Sequence, residues 1–377
     1  MLKTMKYRLH PTKKQRHILE VQLEECRCLY NHFLEQRKRS WEEDQHSLTY
    51  HAQAITLPQL KARCPELSLI HSQVLQNVAV RVDLAMKAFF RRVKAGEKPG
   101  YPRFRGPGRY DSLTFPQYGN GCQMTDGILK LSKVGAVRVV QHRPLEGRPK
   151  ICTVYRQSSG KWFVTVTCEV DMTPLADTGE RIGIDVGLRS FAVLSTGEST
   201  PCPKFLRIDE KDLKRTQRKL AAAAKGTPDR AKRRKIVARV HERIANRRTN
   251  FAHQESRTLI NRCAVIAVED LSVNQMVHNH CLAKSIQDAA WSQFATFLSY
   301  KAAWAGRAFV AVNPAYTSQD CSGCGHRQKK TLADRLHTCP CCGLTLDRDH
   351  NAALNILSLG LQALGLSLEA PAFTPGE

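Results

Sequence analysis

Two pairs of cysteines near the carboxyl end constrain the fold of this 377-residue chain more than any other feature. The spacing is C-x2-C, then fourteen residues, then C-x2-C, with Cys321, Cys324, Cys339 and Cys342 as the members. Each pair presents two thiolates from one tight turn, and two pairs complete a tetrahedral site. Redox chemistry is the alternative, but the pairing favours zinc. Four sulfur ligands leave no open position, so we expect one structural zinc without a catalytic role, and a spare thiol at Cys341.

The balance of charge predicts a polyanionic partner. Lys and Arg number 58 against 34 Asp and Glu, which gives a formal net charge of +24. Such an excess attracts nucleic acid, although a basic but otherwise ordinary enzyme is the alternative. No run of 18 apolar residues exists, and the first residues lack the apolar centre of a signal peptide. We therefore expect a cytoplasmic protein with no membrane partner.

The amino-terminal part alternates between strand and helix patterns. Residues 3–9 predict a short strand, and helices are predicted over about 12–46 and 69–95, the second with one buried apolar stripe. Ser72 and Gln76 lie one turn apart on this second helix. They are candidate nucleic-acid contacts, although two polar residues on a helix are usually unremarkable.

The next segment, residues 98–115, alternates aromatic and basic side chains between glycines and prolines. Its arginines include Arg103, Arg105 and Arg109. This composition suits contacts to a phosphate backbone combined with base stacking, and the alternative is a loop that its aromatic residues anchor to a core. Residues 121–172 then predict a run of short strands that form a small β-barrel or sheet.

From residue 181 the pattern changes to that of an α/β fold. Residues 181–198 predict a β-hairpin, 209–260 a long basic helical stretch, and 263–273 an apolar strand. One apolar stripe of this helical stretch would be buried against the protein. The basic side chains, among them Arg239, Arg243 and Arg247, would then face phosphates or water. A solvated charged face is the alternative, but the stretch has few acids to pair those bases.

Acidic residues stand at the ends of the predicted strands and at the start of a helix. Asp185 ends the strand "RIGID", Glu269 ends "AVIAVE", and Asp347 and Asp349 precede the helix "NAALNILSLG". Each has a simpler explanation when taken alone, since Asp349 could cap the helix and Asp185 could serve a turn. As a set on a basic chain they indicate phosphodiester hydrolysis, in which two Mg²⁺ or Mn²⁺ ions held by carboxylates bind the attacking water and the leaving oxygen.

Three segments resemble the transposon-encoded TnpB family, relatives of the type V CRISPR effectors. They are "GIDVGLRSFAVLSTGE", "IAVEDLSV" and "CSGCGHRQKKTLADRLHTCPCCGLTLDRDHNAALNIL", and the resemblance extends over residues 3 to 360. It implies an α/β and α+β multidomain protein: an RNase H-like (RuvC) catalytic domain with an inserted four-cysteine zinc ribbon, and an N-terminal β-barrel (wedge) domain with a helical recognition insertion.

The resemblance also implies domain bounds. These are 1–10 for the first barrel strand, 11–97 for the helical insertion, 98–178 for the rest of the barrel, 179–316 for the first part of the nuclease domain, 317–345 for the zinc ribbon, 346–366 for the last part of the nuclease domain, and 367–377 for a flexible tail.

The activity that the resemblance implies is RNA-guided DNA cleavage in a nucleoid-associated protein of bacterial or archaeal type. Asp185, Glu269 and Asp349 would bind the two catalytic ions, while the role of Asp347 stays open. The partners would be a guide RNA from the transposon end and target double-stranded DNA beside a short flanking motif, with no small-molecule substrate. The alternatives are an RNA-guided repressor that does not cut and an accessory transposase.

Overall fold

The computed structural model describes residues 1–331 and 334–366, and the predicted tail 367–377 lies outside the described residues. The chain forms two compact units, Met1–Asp171 and the residues from Met172 on. None of the described helices is long and apolar enough to cross a bilayer.

The first unit contains one seven-stranded antiparallel sheet. Its strands are β1 (Leu2–His10), β2 (Ser112–Phe115), β3 (Cys122–Thr125), β4 (Ile128–Leu131), β5 (Gly135–Val140), β6 (Arg148–Arg156) and β7 (Trp162–Glu169). They are ordered β2-β6-β7-β1-β5-β4-β3. The two edge strands, β2 and β3, are consecutive in sequence and joined only by residues 116–121, so the sheet is nearly closed. The alternating residues of β7 from Trp162 to Cys168 point into its core.

Helices occupy the segment between β1 and β2. They are α1 (Lys13–Asp44), α2 (Tyr50–Ile55), α3 (Leu57–Arg63) and α4 (Ser72–Lys94), with a 3-10 helix at Pro65–Leu69. Helix α1 begins with a capping box in which Thr12 and Gln15 bond each other's backbone N–H. The two long helices are where the periodicity predicts them, and the short helices between them carry too little periodicity to predict.

The second unit contains a mixed five-stranded sheet. Its strands are β8 (Arg181–Val186), β9 (Ser190–Leu194), β10 (Ser199–Pro201), β11 (Val265–Glu269) and β12 (Ala308–Val312). Their order is β10-β9-β8-β11-β12. The first three form an antiparallel meander, as the hairpin prediction requires, whereas β11 and β12 run parallel to β8. A separate two-stranded ribbon pairs β13 (Leu336–Thr338) with β14 (Thr345–Asp347).

Six helices complete the second unit as far as the structure describes it: α5 (Phe205–Ala221), α6 (Pro228–Arg262), α7 (Val273–Met276), α8 (His280–Ala289), α9 (Trp291–Ala305) and α10 (Arg348–Ala363). The basic stretch that was predicted as continuous over 209–260 is two packed helices. The chain breaks after α5, where Gly226 takes a positive φ, and Thr227 and Pro228 begin α6 as N-cap and first helical residue.

The alternation of side chains along the strands assigns helices to the two faces of this sheet. Ile182 and Ile266 belong to a core with α6 and α9, whereas Ala267 packs with α10 on the opposite face. Gly183 lies on the α10 face, and a Cβ there would lie 2.1 Å from the carbonyl oxygen of Ala353. Only glycine therefore lets α10 lie this close to β8.

We expect Gly183→Ala to lower the free energy of unfolding by about 1–3 kcal/mol, the usual cost of overpacking, since backbone atoms of α10 would have to move. Urea denaturation of the wild-type protein and of the Gly183→Ala variant measures the difference in their free energies of unfolding. Gly100→Ala is the matched control, because a Cβ at Gly100 meets nothing within 4 Å and its φ is ordinary. An equal effect of the two substitutions would contradict the packing argument.

Candidate active site and metal centre

Two of the predicted acidic residues lie side by side at the carboxyl ends of neighbouring parallel strands. The register of β8 and β11 pairs Ile184 with Val268, so the next residue of each strand, Asp185 and Glu269, follows at the same level. Both residues are partly buried. Ends of parallel strands collect functional side chains in α/β proteins, because the chain leaves the sheet there and leaves room for a ligand.

The third predicted residue, Asp349, lies in the first turn of α10, and the structure separates its role from that of Asp347. The Asp347 carboxylate is the N-cap of α10, where it accepts hydrogen bonds from the backbone N–H of Asp349 at 2.9 Å and of His350 at 3.3 Å. The alternative that Asp349 caps the helix is therefore wrong. The Asp349 side chain does not cap the helix. It is partly buried, whereas the Asp347 side chain is exposed.

The three carboxylates interact electrostatically. Burial raises the pKa of Asp185 well above its ordinary value, and the negative charges of Glu269 and Asp349 raise it further. Burial also raises the pKa of Glu269, against a hydrogen bond of 2.6 Å from the Thr317 hydroxyl to its carboxylate. The fold therefore brings three carboxylates close together in a partly buried site. A divalent cation bound there would stabilise their ionised forms.

Carboxylate oxygens are hard ligands that suit Mg²⁺ or Mn²⁺. His, Cys, Asp and Glu residues could hold a metal ion where the ligand atoms of three or more of them all lie within 4.8 Å of one another. Within residues 1–331 and 334–366, the four cysteines form the one such group. The carboxylates of Asp185, Glu269 and Asp349 are thus more widely spaced than the four sulfurs. That they hold divalent cations stays a prediction.

The cysteine cluster forms as the spacing predicts. Cys321 Sγ lies 3.6 Å from Cys342 Sγ, and Cys324 Sγ lies 3.5 Å from Cys339 Sγ. Sulfurs about 2.3 Å from a tetrahedral zinc would be about 3.8 Å apart, so the cluster could hold a metal ion. Backbone N–H groups of Cys342 and Cys341 lower the pKa of the Cys339 thiol to about 6, while burial and hydrogen bonds with the other thiols raise the pKa values of Cys324 and Cys342. The exposed Cys341 stays outside the group.

Two asparagines of α10 join the cysteine module, residues 317–345, to the helix that carries Asp349. The side-chain amides of Asn351 and Asn355 both donate to the carbonyl oxygen of Asp320, at 2.8 and 2.7 Å. Asn351 also accepts from the backbone N–H of Ser322 at 3.0 Å, inside the first cysteine pair. Sequence reasoning missed these residues, although polar side chains four apart on an apolar helix face are a signal that could have found them.

The predicted nucleic-acid residues of α6 are partly engaged by acids. Arg243 bonds Asp209 and Asp212 of α5 at 2.9 and 2.8 Å, and Arg247 bonds Asp209 at 2.8 Å. The few acids of this stretch pair more of its bases than the charge pattern indicates, because α5 folds back against α6. The two side chains are still 45% and 42% exposed, and Arg239 is exposed as well. Their contact with nucleic acid stays a prediction.

The candidates of the first unit are exposed. The backbone of Arg105 is held by the Asn31 side chain, its guanidinium lies 5.4 Å from the Tyr30 ring centre, and those of Arg103 and Arg109 also reach the surface. The aromatic residues of this loop are of two kinds. Tyr110 and Phe115 are buried in the core, whereas Tyr101 and Phe104 are exposed. On α4, Ser72 and Gln76 are both exposed, and Ser72 accepts a hydrogen bond from Lys61.

Three family models match the chain. They are a helix-turn-helix domain of OrfB of IS605 over residues 1–46, OrfB of IS605, described as "Probable transposase", over residues 163–280, and a Cas12f1-like TNB domain over residues 291–356. The third match includes α9, the four cysteines and the first turns of α10, and the second includes Asp185 and Glu269.

Known proteins are similar over nearly the whole chain. A protein of Streptomyces pristinaespiralis named as an RNA-guided DNA endonuclease is 36% identical over 96% of this chain and 90% of its own length. InsQ of Escherichia coli K12, named in the same way, is 30% identical over 95% and 92%. Among solved structures, a Cas12f1–sgRNA–target DNA complex matches with a TM-score of 0.60 and 16% identity over 92% of this chain and 83% of that chain, a likeness of fold.

Proposed function

The chain belongs to the TnpB family, whose members in Streptomyces and Escherichia coli it matches over 96% and 95% of its length, and on this premise we propose that it is an RNA-guided DNA endonuclease with a two-metal RuvC-like site. Its partners are then a guide RNA and target DNA, in keeping with the net charge of +24. The observation that carries the catalytic part is the convergence of Asp185, Glu269 and Asp349, with the pKa of Asp185 raised by burial and by the other two carboxylates.

The fold supports a nuclease of the RNase H-like class. A meander of three antiparallel strands followed by two parallel strands, with helices on both faces, puts the ends of β8 and β11 beside the start of α10. Asp185, Glu269 and Asp349 would hold two Mg²⁺ or Mn²⁺ ions, which supply an activated water and neutralise the leaving oxygen. Thr317 orients Glu269 by its 2.6 Å hydrogen bond.

The cysteine module would hold one zinc through Cys321, Cys324, Cys339 and Cys342. Four thiolates leave the ion no open position, so its contribution is to fold the module. Through Asn351 and Asn355 the folded module fixes the first turns of α10. The zinc would thereby stabilise the place where Asp349 stands without taking part in the reaction.

The function is tested by purifying the protein with its co-purified RNA, sequencing that RNA, and measuring cleavage of DNA that carries the complementary site with Mg²⁺ present. We expect cutting that depends on the RNA sequence and on Mg²⁺. RNA-directed binding without cutting would favour the repressor alternative, and strand-transfer products without RNA would favour the transposase alternative.

A pair of isosteric variants tests the assignment of the two neighbouring aspartates in the same assay. Asp349→Asn should lower the cleavage rate by more than about a hundredfold, because it removes the charge of a proposed metal ligand. Asp347→Asn should cut close to the wild-type rate, because asparagine caps a helix as well as aspartate does. Asp347→Ala should in turn cost about 1 kcal/mol of stability. An Asp347→Asn variant as inactive as Asp349→Asn would show that Asp347 also binds metal.

A further inference from the structure

An exposed aromatic side chain lies close in sequence to a residue that contacts Glu269, one of the three residues of the carboxylate site (Asp185, Glu269 and Asp349). Tyr316 lies between β12 and the first cysteine pair, and half of its side chain is exposed. Its backbone is in the left-handed region at φ 68°, and it is the one aromatic residue there among the non-glycine residues that the structure describes. A bulky residue rarely adopts this conformation, and such residues cluster at functional sites.

One face of the Tyr316 ring is covered by a positively charged plane. The guanidinium carbon of Arg327 lies 3.6 Å from the ring centre. Arg327 is itself held by Asp320, whose carboxylate accepts two of its N–H groups at 2.7 and 3.0 Å. Tyr316 is still half exposed with Arg327 on its ring, so part of the side chain remains open to solvent. The ring is therefore held on one side by a charged plane and is still accessible to a ligand.

The chain connects this ring directly to the carboxylate site. The residue after Tyr316 is the buried Thr317, whose hydroxyl donates to Glu269 at 2.6 Å. The carbonyl oxygen of Thr317 accepts from Asn355 of α10 at 2.8 Å. Tyr316 is thus one residue from a group that is bonded both to a proposed metal ligand and to the helix that carries another.

We propose that Tyr316, backed by Arg327, is a stacking platform for a nucleobase of the single-stranded DNA next to the phosphate that is cut. This inference rests on the proposed nuclease function and adds a positioning residue to it. Every nucleobase has a π-face, so an aromatic ring holds single strands with little regard to sequence, which suits a site whose target is chosen elsewhere. Arg327 keeps the ring from turning and adds positive charge near the strand.

The first experiment measures base stacking on Tyr316 in a protein that does not cleave DNA. In an Asp185→Asn background, 2-aminopurine is placed at successive positions of the DNA strand around the cut, since stacking on an aromatic ring quenches its fluorescence. We expect a position beside the scissile phosphate to be quenched in the guide-bound complex and to recover when Tyr316→Ala is added. A probe inside the guide-paired duplex is the control and should not change. Equal fluorescence with and without Tyr316→Ala at every position would overturn the proposal.

The second experiment separates the ring from the backbone. Tyr316→Phe should cut at the wild-type rate, whereas Tyr316→Ala should lower the rate at saturating DNA about tenfold and leave guided binding unchanged. Tyr316→Gly should melt at a higher temperature than Tyr316→Ala, since glycine adopts the positive φ freely, and should still cut slowly. Leu336→Ala, at an exposed residue of the neighbouring cysteine module, is the control. A Tyr316→Phe variant as slow as Tyr316→Ala would exclude stacking.

The outcomes distinguish this inference from the function on which it rests. If the wild-type protein does not cut guided DNA, the proposed function fails. If the wild type cuts and the Tyr316 variants cut and quench as it does, only the stacking platform fails.

Discussion

Replacement of Asp185 by asparagine is expected to abolish DNA cleavage and, at the same time, to stabilise the metal-free protein. Burial and the charges of Glu269 and Asp349 raise the pKa of Asp185, which means that its ionised form is unfavourable in the folded chain. A neutral amide of the same shape removes that repulsion. It also removes a proposed metal ligand, so cleavage should fall more than about a hundredfold, beyond the usual effect of removing a group that only supports a ligand.

The sign of the stability effect can be checked by its pH dependence. A carboxyl whose pKa is raised on folding destabilises the folded state once the pH exceeds its ordinary value near 3.8, and the full penalty is present above the raised value. The difference in melting temperature between Asp185→Asn and wild type, both in chelator, should therefore grow as the pH rises and vanish at low pH. Added Mg²⁺ should stabilise the wild type more than the variant.

The matched control is Asp177→Asn, because Asp177 is an aspartate of the same unit whose carboxylate accepts from a backbone N–H in a surface turn. It should change neither cleavage nor the pH dependence of melting. Guided DNA binding by Asp185→Asn should equal that of wild type. If that variant cuts normally, or if it melts lower than wild type in chelator across the pH range, the assignment of Asp185 is wrong.

Substitution of serine at both Cys321 and Cys324 is expected to remove the bound metal and unfold the cysteine module. Structural zinc contributes about 10–16 kcal/mol to the folding of small zinc modules, and two ligands from one knuckle do not form a closed site. Elemental analysis should fall from one zinc per chain to none. Limited proteolysis should then cut within residues 317–345, while the sheet of the first unit stays folded.

Cleavage should be lost in the same double variant for an indirect reason. The backbone of Asp320 and Ser322 holds Asn351 and Asn355, so an unfolded module releases the start of α10 and with it Asp349. Cys341→Ser is the control, because this exposed thiol lies outside the cluster. It should keep its zinc and its activity. A double variant that retains one zinc per chain would refute the ligand set.

Local patterns were sufficient for the long helices, the hairpin of β8 and β9, and the four-cysteine cluster. Each of these depends on residues near one another in sequence: a capping box at Thr12, an apolar stripe on α4, and two tight knuckles. The break between α5 and α6 was missed although Gly226 and Pro228 mark it, because the basic composition continues through the turn.

Side-chain contacts between segments that are far apart in sequence could not be predicted from local patterns. The arginines of α6 meet Asp209 and Asp212 only because α5 folds back, so the charge pattern alone overstated how many bases are unpaired. The bond from Thr317 to Glu269 joins residues 48 apart. No local signal in "YTSQ" identifies that partner.

The chemical groups of the site could be read from the residue order: four thiols at metal spacing, carboxylates at predicted strand and helix ends, and a large positive charge. Which of these groups are neighbours depends on the fold, because the register of β8 with β11 and the close approach of α10 at Gly183 bring Asp185, Glu269 and Asp349 near enough to interact electrostatically. The same packing makes Asp347 the helix cap, because its carboxylate reaches the free N–H groups of α10, and the proposed role in metal binding therefore falls to Asp349.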